Sequence, residues 1–256
     1  NWMNYRLRME IDGGGFFIPD IFLVMDDYAK AEAVKDGFPE GKVIVTGQPA
    51  LASLAEEFGK SKKVHIAGKE KKKILFISEP VEIDQGKSER ENPNFRGYTE
   101  KTVLRLLIRP LEKYSSEFSL HIAPHPREDK KVLKDFWNRN ASGLEGGVIE
   151  NMKGREAVFG CDGAAGMASI LLYEAYLIGK PAISIQPELR NSQNSYMKDK
   201  SGMYFTGGSE EEAGMKITEW LAFVRKSGQG ALNPELERHA KAAKIIAGII
   251  GKILRS

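Results

Sequence analysis

Short apolar runs with the length of buried strands recur along the chain, at residues 21–25, 43–45, 74–77, 118–123 and 182–185. Between them lie segments with helical periodicity, of which residues 98–114 and 209–226 are the clearest. Strands that alternate with helices through short loops favour parallel pairing in a sheet covered by helices. The pattern therefore predicts an α/β fold with a parallel sheet.

The pattern of residues 166–187 predicts a turn, a helix, a short turn that ends the helix and a buried strand. Gly166 allows a close turn, and Ser169 is placed to cap the helix that follows it. Gly179 and Pro181 are placed to end that helix. A small-residue turn at the head of a helix leaves N–H groups unpaired, and these form a cradle in which an anion can sit.

This stretch resembles the nucleotide-binding helix of GT-B glycosyltransferases and of the related UDP-GlcNAc 2-epimerases. In those families a turn of small residues meets the donor diphosphate, and a glutamate on the same helix holds the ribose hydroxyls. The resemblance implies phosphate contacts from the turn, namely from Gly166, Met167, Ala168 and Ser169. It implies a ribose contact from Glu174. The chain lacks the Ser-Gly-Gly or Gly-Gly-Ser run usual in the family, and the alternative is a helix whose glycines serve only packing.

A second candidate site follows the apolar run at residues 118–123, where Pro124 and Pro126 flank His125. The two prolines stiffen the loop, and His125 with Arg127 supplies donors suited to a phosphate or carboxylate. This loop resembles the His-Pro motif of bacterial sialyltransferases, polysialyltransferases and CDP-glycerol transferases. The resemblance implies that His125 is the catalytic residue, acting on the nucleotide phosphate or on the departing charge. The alternative is a structural histidine.

Ser78 and Glu79 follow the apolar run at residues 74–77. Ligands of open parallel sheets collect outside the carboxyl ends of the strands, so both residues are candidate contacts to the nucleoside. The long, charged stretch at residues 81–97 is predicted to be an irregular, mobile binding loop.

Residues 20–49 resemble the end of the N-terminal domain of GT-B proteins, with Gly-Phe-Pro at 37–39 and Thr-Gly-Gln-Pro at 46–49. The resemblance implies that residues 1–60 are the C-terminal remnant of a first α/β domain, whereas the alternative is a small independent unit. The lysine-rich residues 61–73 are predicted to be a linker. Residues 74–256 are predicted to form a Rossmann-like nucleotide-binding domain with a C-terminal helix. Position 1 is not a methionine, and we expect a truncated chain.

The net charge, the cysteine and histidine content and the length of the apolar runs limit the classes of function that the sequence favours. The net charge of +3 is too small to argue for nucleic acid. Cys161 is the single cysteine, so an internal disulfide is excluded and a reducing compartment fits the sequence. We predict that Cys161 is a small buried residue. No apolar run approaches the ~20 residues of a spanning helix. The four histidines and one cysteine show no metal-ligand spacing, so no metal site is expected. We expect a cytoplasmic location. If the chain contacts the membrane, we expect it to be a peripheral protein at the membrane surface.

The last predicted helix, residues 234–255, carries isoleucines on one side and lysines on the other. One interpretation is packing against the first domain, as in GT-B proteins. The other is a membrane-surface helix. An uncovered apolar face would also suit a homodimer.

The resemblance implies a nucleotide-sugar or CDP-alcohol dependent transferase of GT-B type, acting in surface polysaccharide synthesis. The donor, a nucleoside diphosphate or a CMP or CDP derivative, is the substrate, and no separate cofactor is expected. One alternative is a sugar-nucleotide 2-epimerase, and another is a non-catalytic nucleotide-binding fragment. The base, the sugar, the acceptor and the acceptor-activating residue stay open.

Overall fold

The computed structural model describes residues 5, 9–11, 15–61, 71–93, 95–141, 143–190, 196–228 and 230–255. The chain divides into two compact units, one formed by Asn1–Glu57 with Asn233–Ser256 and the other by Phe58–Leu232. Most of the predicted linker, residues 62–70, lies outside the described residues. The C-terminal helix belongs to the first unit, whereas the sequence analysis placed it with the nucleotide-binding domain.

The first unit contains two pairs of short strands and a helix. Strands β1 (Glu10–Ile11) and β2 (Gly15–Phe16) are antiparallel, whereas β3 (Phe22–Val24) and β4 (Val43–Val45) are parallel, as predicted. Helix α1 (Asp27–Lys35) connects β3 to β4 and begins at the cap Asp26, whose side chain accepts the N–H of Ala29 at 2.8 Å. After β4, a 3₁₀ turn at Pro49–Leu51 precedes helix α2 (Leu54–Ser61), and the unit boundary falls within α2.

The C-terminal helix packs on the first unit through its first half. In the chain's last helix (Glu235–Ile253), Leu236, His239 and Ala242 are buried. The N–H of Gln48 donates to Nδ1 of His239 at 3.1 Å. Gly47 has φ +88, and a Cβ there would lie 2.7 Å from the carbonyl oxygen of Arg238, so only glycine fits this approach. The second half of the helix exposes large apolar side chains, namely Ile245, Ile250, Ile253 and Leu254.

The second unit alternates strands and helices. In chain order they are β5 (Lys72–Ile77), α3 (Val81–Gln85), α4 (Glu100–Lys113), β6 (Phe118–Ala123), α5 (Lys130–Asn140), β7 (Gly146–Val148), α6 (Gly154–Gly160), β8 (Gly163–Gly166), α7 (Ile170–Leu177), β9 (Ala182–Ile185), β10 (Tyr204–Thr206) and α8 (Glu210–Lys226). The last helix of the first unit is therefore α9. Within the described residues, the strands of this unit form one six-stranded parallel sheet in the order β10-β9-β8-β5-β6-β7.

The strand order reverses between β5 and β8, as in a doubly wound nucleotide-binding sheet. The chain runs outward from β5 through β6 to β7, then returns to β8 and runs outward on the other side. A reversal of this kind opens a crevice at the carboxyl ends of the two central strands, which is where such sheets bind ligands. The predicted α/β fold with a parallel sheet is confirmed.

Helices α4 and α8 cover one face of this sheet with apolar side chains. Trp220 and Val224 of α8 lie so close to β8 that a Cβ on Gly163 would be 3.0 Å from each side chain. On α4, Pro110 lies inside the helix without ending it. The loop predicted at residues 81–97 contains the short helix α3, and β10 was not predicted.

Among the described residues, no helix is long and apolar enough to cross a membrane.

Candidate functional site

The carboxyl ends of β5, β6 and β8 lie side by side. Ile77 of β5 pairs with Ala123 of β6, and Phe76 pairs with Ala165 of β8. The N–H of Ser78 extends this register by donating to the carbonyl of Ala123 at 3.0 Å. The loops that carry Ser78 and Glu79, His125 and Arg127, and the 167–169 turn therefore leave the same edge of the sheet. This arrangement brings together most of the residues that the sequence analysis selected.

Glu79 reaches from β5 across the strand-order reversal to the head of α7. Its Oε1 accepts the N–H of Ala168 at 2.6 Å. Burial raises the pKa of Glu79 above its usual value, while the backbone amides of Met167, Ala168 and Ser169 and the nearby Arg96 guanidinium act in the opposite direction. One of the N–H groups predicted to be unpaired, that of Ala168, is thus already bound to a carboxylate of the same chain.

A buried polar network holds the 167–169 turn in place. The Met167 side chain is fully buried, and its carbonyl accepts hydrogen bonds from Ser184 Oγ at 2.5 Å and Gln186 Nε2 at 3.3 Å. The Tyr98 hydroxyl donates to Gln186 Oε1 at 3.0 Å. A Cβ on Gly166 would lie 3.2 Å from the carbonyl of Ile77, so the small residue allows β8 to approach β5. Met167 can therefore contribute only its backbone to a ligand.

Ser169 is the N-cap of α7, as predicted, and its Oγ accepts the N–H of Leu171 at 3.2 Å. Gly179 ends the helix with φ +76, in the position expected from the sequence. The phosphate role of Ser169 stays a prediction.

Glu128 links the β5 and β6 loops, and the sequence analysis did not select it. Its Oε2 accepts the N–H of His125 at 2.6 Å, and its Oε1 accepts the Ser78 hydroxyl at 2.7 Å. Burial raises the pKa of Glu128, although these two hydrogen bonds oppose that rise. The only sequence signal was its position three residues after His125. Ser78 is buried and held by this carboxylate, so its hydroxyl proton is already used.

The His125 imidazole is neutral and has one tautomer assigned by its neighbour. Its Nδ1 accepts the N–H of Arg127 at 3.2 Å, so the ring proton belongs on Nε2. Partial burial lowers the pKa of His125, and the adjacent Arg127 charge lowers it further. His125 can thus donate a hydrogen bond from Nε2 without first binding a proton from solvent.

Arg127 is exposed and paired with a carboxylate, and its role in phosphate binding stays a prediction. Its Nη1 and Nη2 donate to the two carboxylate oxygens of Asp84 at 2.7 and 2.9 Å. A bidentate pair of this kind uses the same N–H donors of the guanidinium that would bind a phosphate. Arg96, which the sequence analysis missed, carries a positive charge that lowers the pKa of both Glu79 and Tyr98.

Glu174 lies in α7, and its buried carboxylate is held by Arg155 of α6. Arg155 donates from Nε to Oε2 at 2.8 Å and from Nη2 to Oε1 at 2.7 Å. The hydrogen bonds found among the described residues do not link Glu174 to Glu79 or Glu128. The structure therefore places Glu174 on the same helix as the 167–169 turn but engaged with a partner that the sequence did not reveal.

Cys161 is buried, and burial raises the pKa of its thiol to about 12, which confirms the interpretation as a small core residue. In the part of the chain that the structure describes, no three His, Cys, Asp or Glu side chains are grouped to hold a metal ion.

Comparison with solved structures identifies the architecture. The UDP-GlcNAc 2-epimerase from Neisseria meningitidis matches with a TM-score of 0.63 and 16% identity over 91% of this chain and 62% of that enzyme. The putative epimerase from Listeria monocytogenes matches with a TM-score of 0.63 and 14% identity over 93% and 60%. The enzyme from Methanocaldococcus jannaschii matches with a TM-score of 0.58 and 13% identity over 90% and 62%. The fold is GT-B-like.

This result confirms the predicted resemblance of the fold to that of UDP-GlcNAc 2-epimerases. The chain spans about 60% of the length of these enzymes, and identities at this level show the fold alone. No protein-family model matches the sequence, and comparison with curated proteins gives no match. The role of the His-Pro loop and the binding roles of the other selected residues stay predictions.

Proposed function

We propose that this chain is the nucleotide-binding part of a GT-B transferase that uses a nucleotide sugar or a CDP-alcohol in surface polysaccharide synthesis. The observation that carries the proposal is the shared edge of the sheet. There the strand-order reversal gathers the loop of Ser78 and Glu79, the loop of His125 and the head of α7. Sheets of this topology bind nucleotides at such a crevice.

In this proposal the site stabilises the negative charge that develops on the departing nucleotide. The neutral His125 donates its Nε2 proton or a hydrogen bond to a phosphate oxygen, and Arg96 adds a positive charge nearby. The backbone N–H and the hydroxyl of Ser169 lie at the positive end of the α7 dipole. Fixed donors of this kind stabilise a transition state because they need no reorganisation as the charge forms.

A sugar-nucleotide 2-epimerase is the second candidate, because several structural neighbours with TM-scores above 0.5 carry that name. The Neisseria meningitidis enzyme was solved bound to UDP-GlcNAc. An epimerase needs a pair of acid and base residues around the sugar and, typically, both domains. Conversion of UDP-GlcNAc into its C2 epimer, with the sugar still attached to UDP, would favour this candidate over the transferase.

Titration calorimetry with UDP, CDP, GDP and UDP-GlcNAc tests the proposal. We expect one nucleoside diphosphate to bind, and we expect His125→Gln and Ser169→Ala to weaken that binding. His121→Gln is the matched control, since His121 lies within β6, with its ring hydrogen-bonded to Ser119. If the wild-type chain bound none of the four nucleotides, the fold would stand and the proposed function would fail.

A further inference from the structure

We propose that Glu79 is a built-in competitor for the donor phosphate. Its carboxylate occupies the anion position at the head of α7, and an external anion binds there only after this side chain has moved away or has taken up a proton. The identity of the anion as a donor phosphate rests on the proposed function. The competition itself follows from the contacts of Glu79.

The contacts of Glu79 are those of a bound anion. The N–H of Ala168 donates to Glu79 Oε1 at 2.6 Å, and the backbone amides of Met167 and Ser169 on either side lower the pKa of the same carboxylate. Successive amides before a helix form the concave site that phosphates and carboxylates share. Glu79 comes from a different strand, 89 residues earlier in the chain, so its placement is a tertiary contact rather than a local cap.

The charges around Glu79 do not provide room for a second anion. From the loop before α4, Arg96 supplies the nearby positive charge and Tyr98 supplies a buried hydroxyl with a raised pKa. From the β6 loop, the Glu128 carboxylate accepts the hydroxyl of Ser78, the residue before Glu79, and the N–H of the neutral His125. The 167–169 turn itself carries no ionisable side chain. Two like charges that share one site repel each other strongly at the low effective dielectric of a protein, so an incoming anion must displace or neutralise Glu79.

Two consequences distinguish a competitor from a structural anchor. A competitor weakens anion binding while it is charged, so removal of the charge should tighten binding. An anchor supports the turn, so its replacement should loosen the turn and weaken binding. Glu79→Gln separates the two, because glutamine keeps the shape and one acceptor oxygen but removes the charge.

The test uses the full chain with sulfate and UDP as separate probes. Sulfate keeps its charge across the pH range used, so a change of its affinity with pH reports on the protein. The N–H resonances of Met167, Ala168 and Ser169 are followed by NMR during each titration. We expect Glu79→Gln to bind sulfate at least about tenfold more tightly than wild type at pH 8, and this ratio to shrink at about pH 5, where carboxyls take up protons. Glu100→Gln is the matched control, because Glu100 is also a buried carboxylate that accepts a backbone N–H, from Glu82 at 2.9 Å.

Equal or weaker sulfate binding by folded Glu79→Gln, with the same amides responding, would overturn the proposal. The wild-type chain provides a second measurement if the variant does not fold: its sulfate affinity should rise as the pH falls. The same series on His125→Gln removes the contribution of imidazole protonation, and loss of the pH effect in that variant would also count against Glu79. The UDP probe tests the proposed function separately, since sulfate can bind more tightly to Glu79→Gln even when no nucleotide binds.

Discussion

Arg155 and Glu174 form a two-point ion pair between α6 and α7, with donor–acceptor distances of 2.8 and 2.7 Å. Glu174 is buried, whereas the Arg155 side chain is partly exposed. A carboxylate whose two oxygens already face a guanidinium meets a ribose hydroxyl only by sharing or displacing that partner. The resemblance-derived role of Glu174 therefore depends on how readily Arg155 gives way.

We predict that Glu174→Ala abolishes the preference for UDP over 2′-deoxy-UDP. If Glu174 holds the ribose hydroxyls, the wild-type chain should bind UDP more tightly, by about 1–3 kcal/mol, because the deoxy analogue lacks a hydroxyl that donates to this charged acceptor. Calorimetry with both nucleotides measures the difference. Wild-type chain that binds the two equally would rule out the ribose role while leaving the ion pair in place.

The same substitution should destabilise the fold, because it leaves the Arg155 charge without its partner. We expect Glu174→Ala to lower the free energy of unfolding by about 1–3 kcal/mol, less than for a fully buried pair because water screens Arg155. Urea denaturation of Glu174→Ala, Arg155→Met and the double variant gives the coupling energy. The two single changes should be non-additive, and additive values would contradict a direct pair.

The two hydrogen bonds that Glu128 accepts, from the β5 loop and from the β6 loop, lead to a separate prediction. Glu128→Ala removes the acceptor of the His125 N–H and of the buried Ser78 hydroxyl, so it should cost about 1–3 kcal/mol of unfolding free energy. Glu128→Gln should cost less, because its amide oxygen still accepts from His125 and it buries no charge. Urea denaturation compares the two variants. Equal losses would show that the hydrogen bonds do not hold the two loops.

The sheet and the location of the candidate site could be predicted from the sequence because they depend on local patterns. The apolar runs at residues 118–123 and 182–185 coincide with β6 and β9, and Ser169 caps α7 as expected. The rule that parallel strands end at one edge then places Ser78 and His125 together without coordinates. Pro110 shows the limit of such local rules, since tertiary packing keeps α4 helical beyond it.

The partners of the selected side chains could not be predicted, because they depend on long-range contacts. Asp84 occupies Arg127 from 43 residues away, and Arg155 occupies Glu174 from 19 residues away. Glu79 was selected as a nucleoside contact, yet no periodicity indicates that it fills the cradle at Ala168. Composition and spacing thus identify which residues reach the site, whereas only the fold shows which of them are already paired.

The neutral state of His125 can be tested by NMR. Because Nδ1 accepts the Arg127 N–H and burial lowers the pKa of the ring, we expect the Nε2–H tautomer at neutral pH. Long-range ¹⁵N–¹H spectra of the imidazoles identify the tautomer, and loss of one signal in His125→Gln assigns it to this residue. A doubly protonated His125 ring at pH 7 would contradict the prediction and would remove its role as a neutral donor.

The buried carboxyl of Glu100 should make stability depend on pH in a direction opposite to that of Glu82. Burial raises the pKa of Glu100, and the Glu128 and Glu82 carboxylates add to the rise. A carboxyl with a raised pKa in the folded protein stabilises folding below its unfolded pKa and loses that contribution as the pH rises through the folded value. The unfolding free energy of wild type relative to Glu100→Gln should therefore fall between about pH 4 and pH 8.

Glu82 provides the opposite case. Burial would raise the pKa of Glu82, but hydrogen bonds from Lys101 and Lys87 hold that pKa below the usual value. Its contribution relative to Glu82→Gln should be present above the unfolded pKa and fall as the medium becomes acidic. Urea denaturation of both variants across this range measures the two slopes, and slopes of the same sign would contradict the assigned charge states.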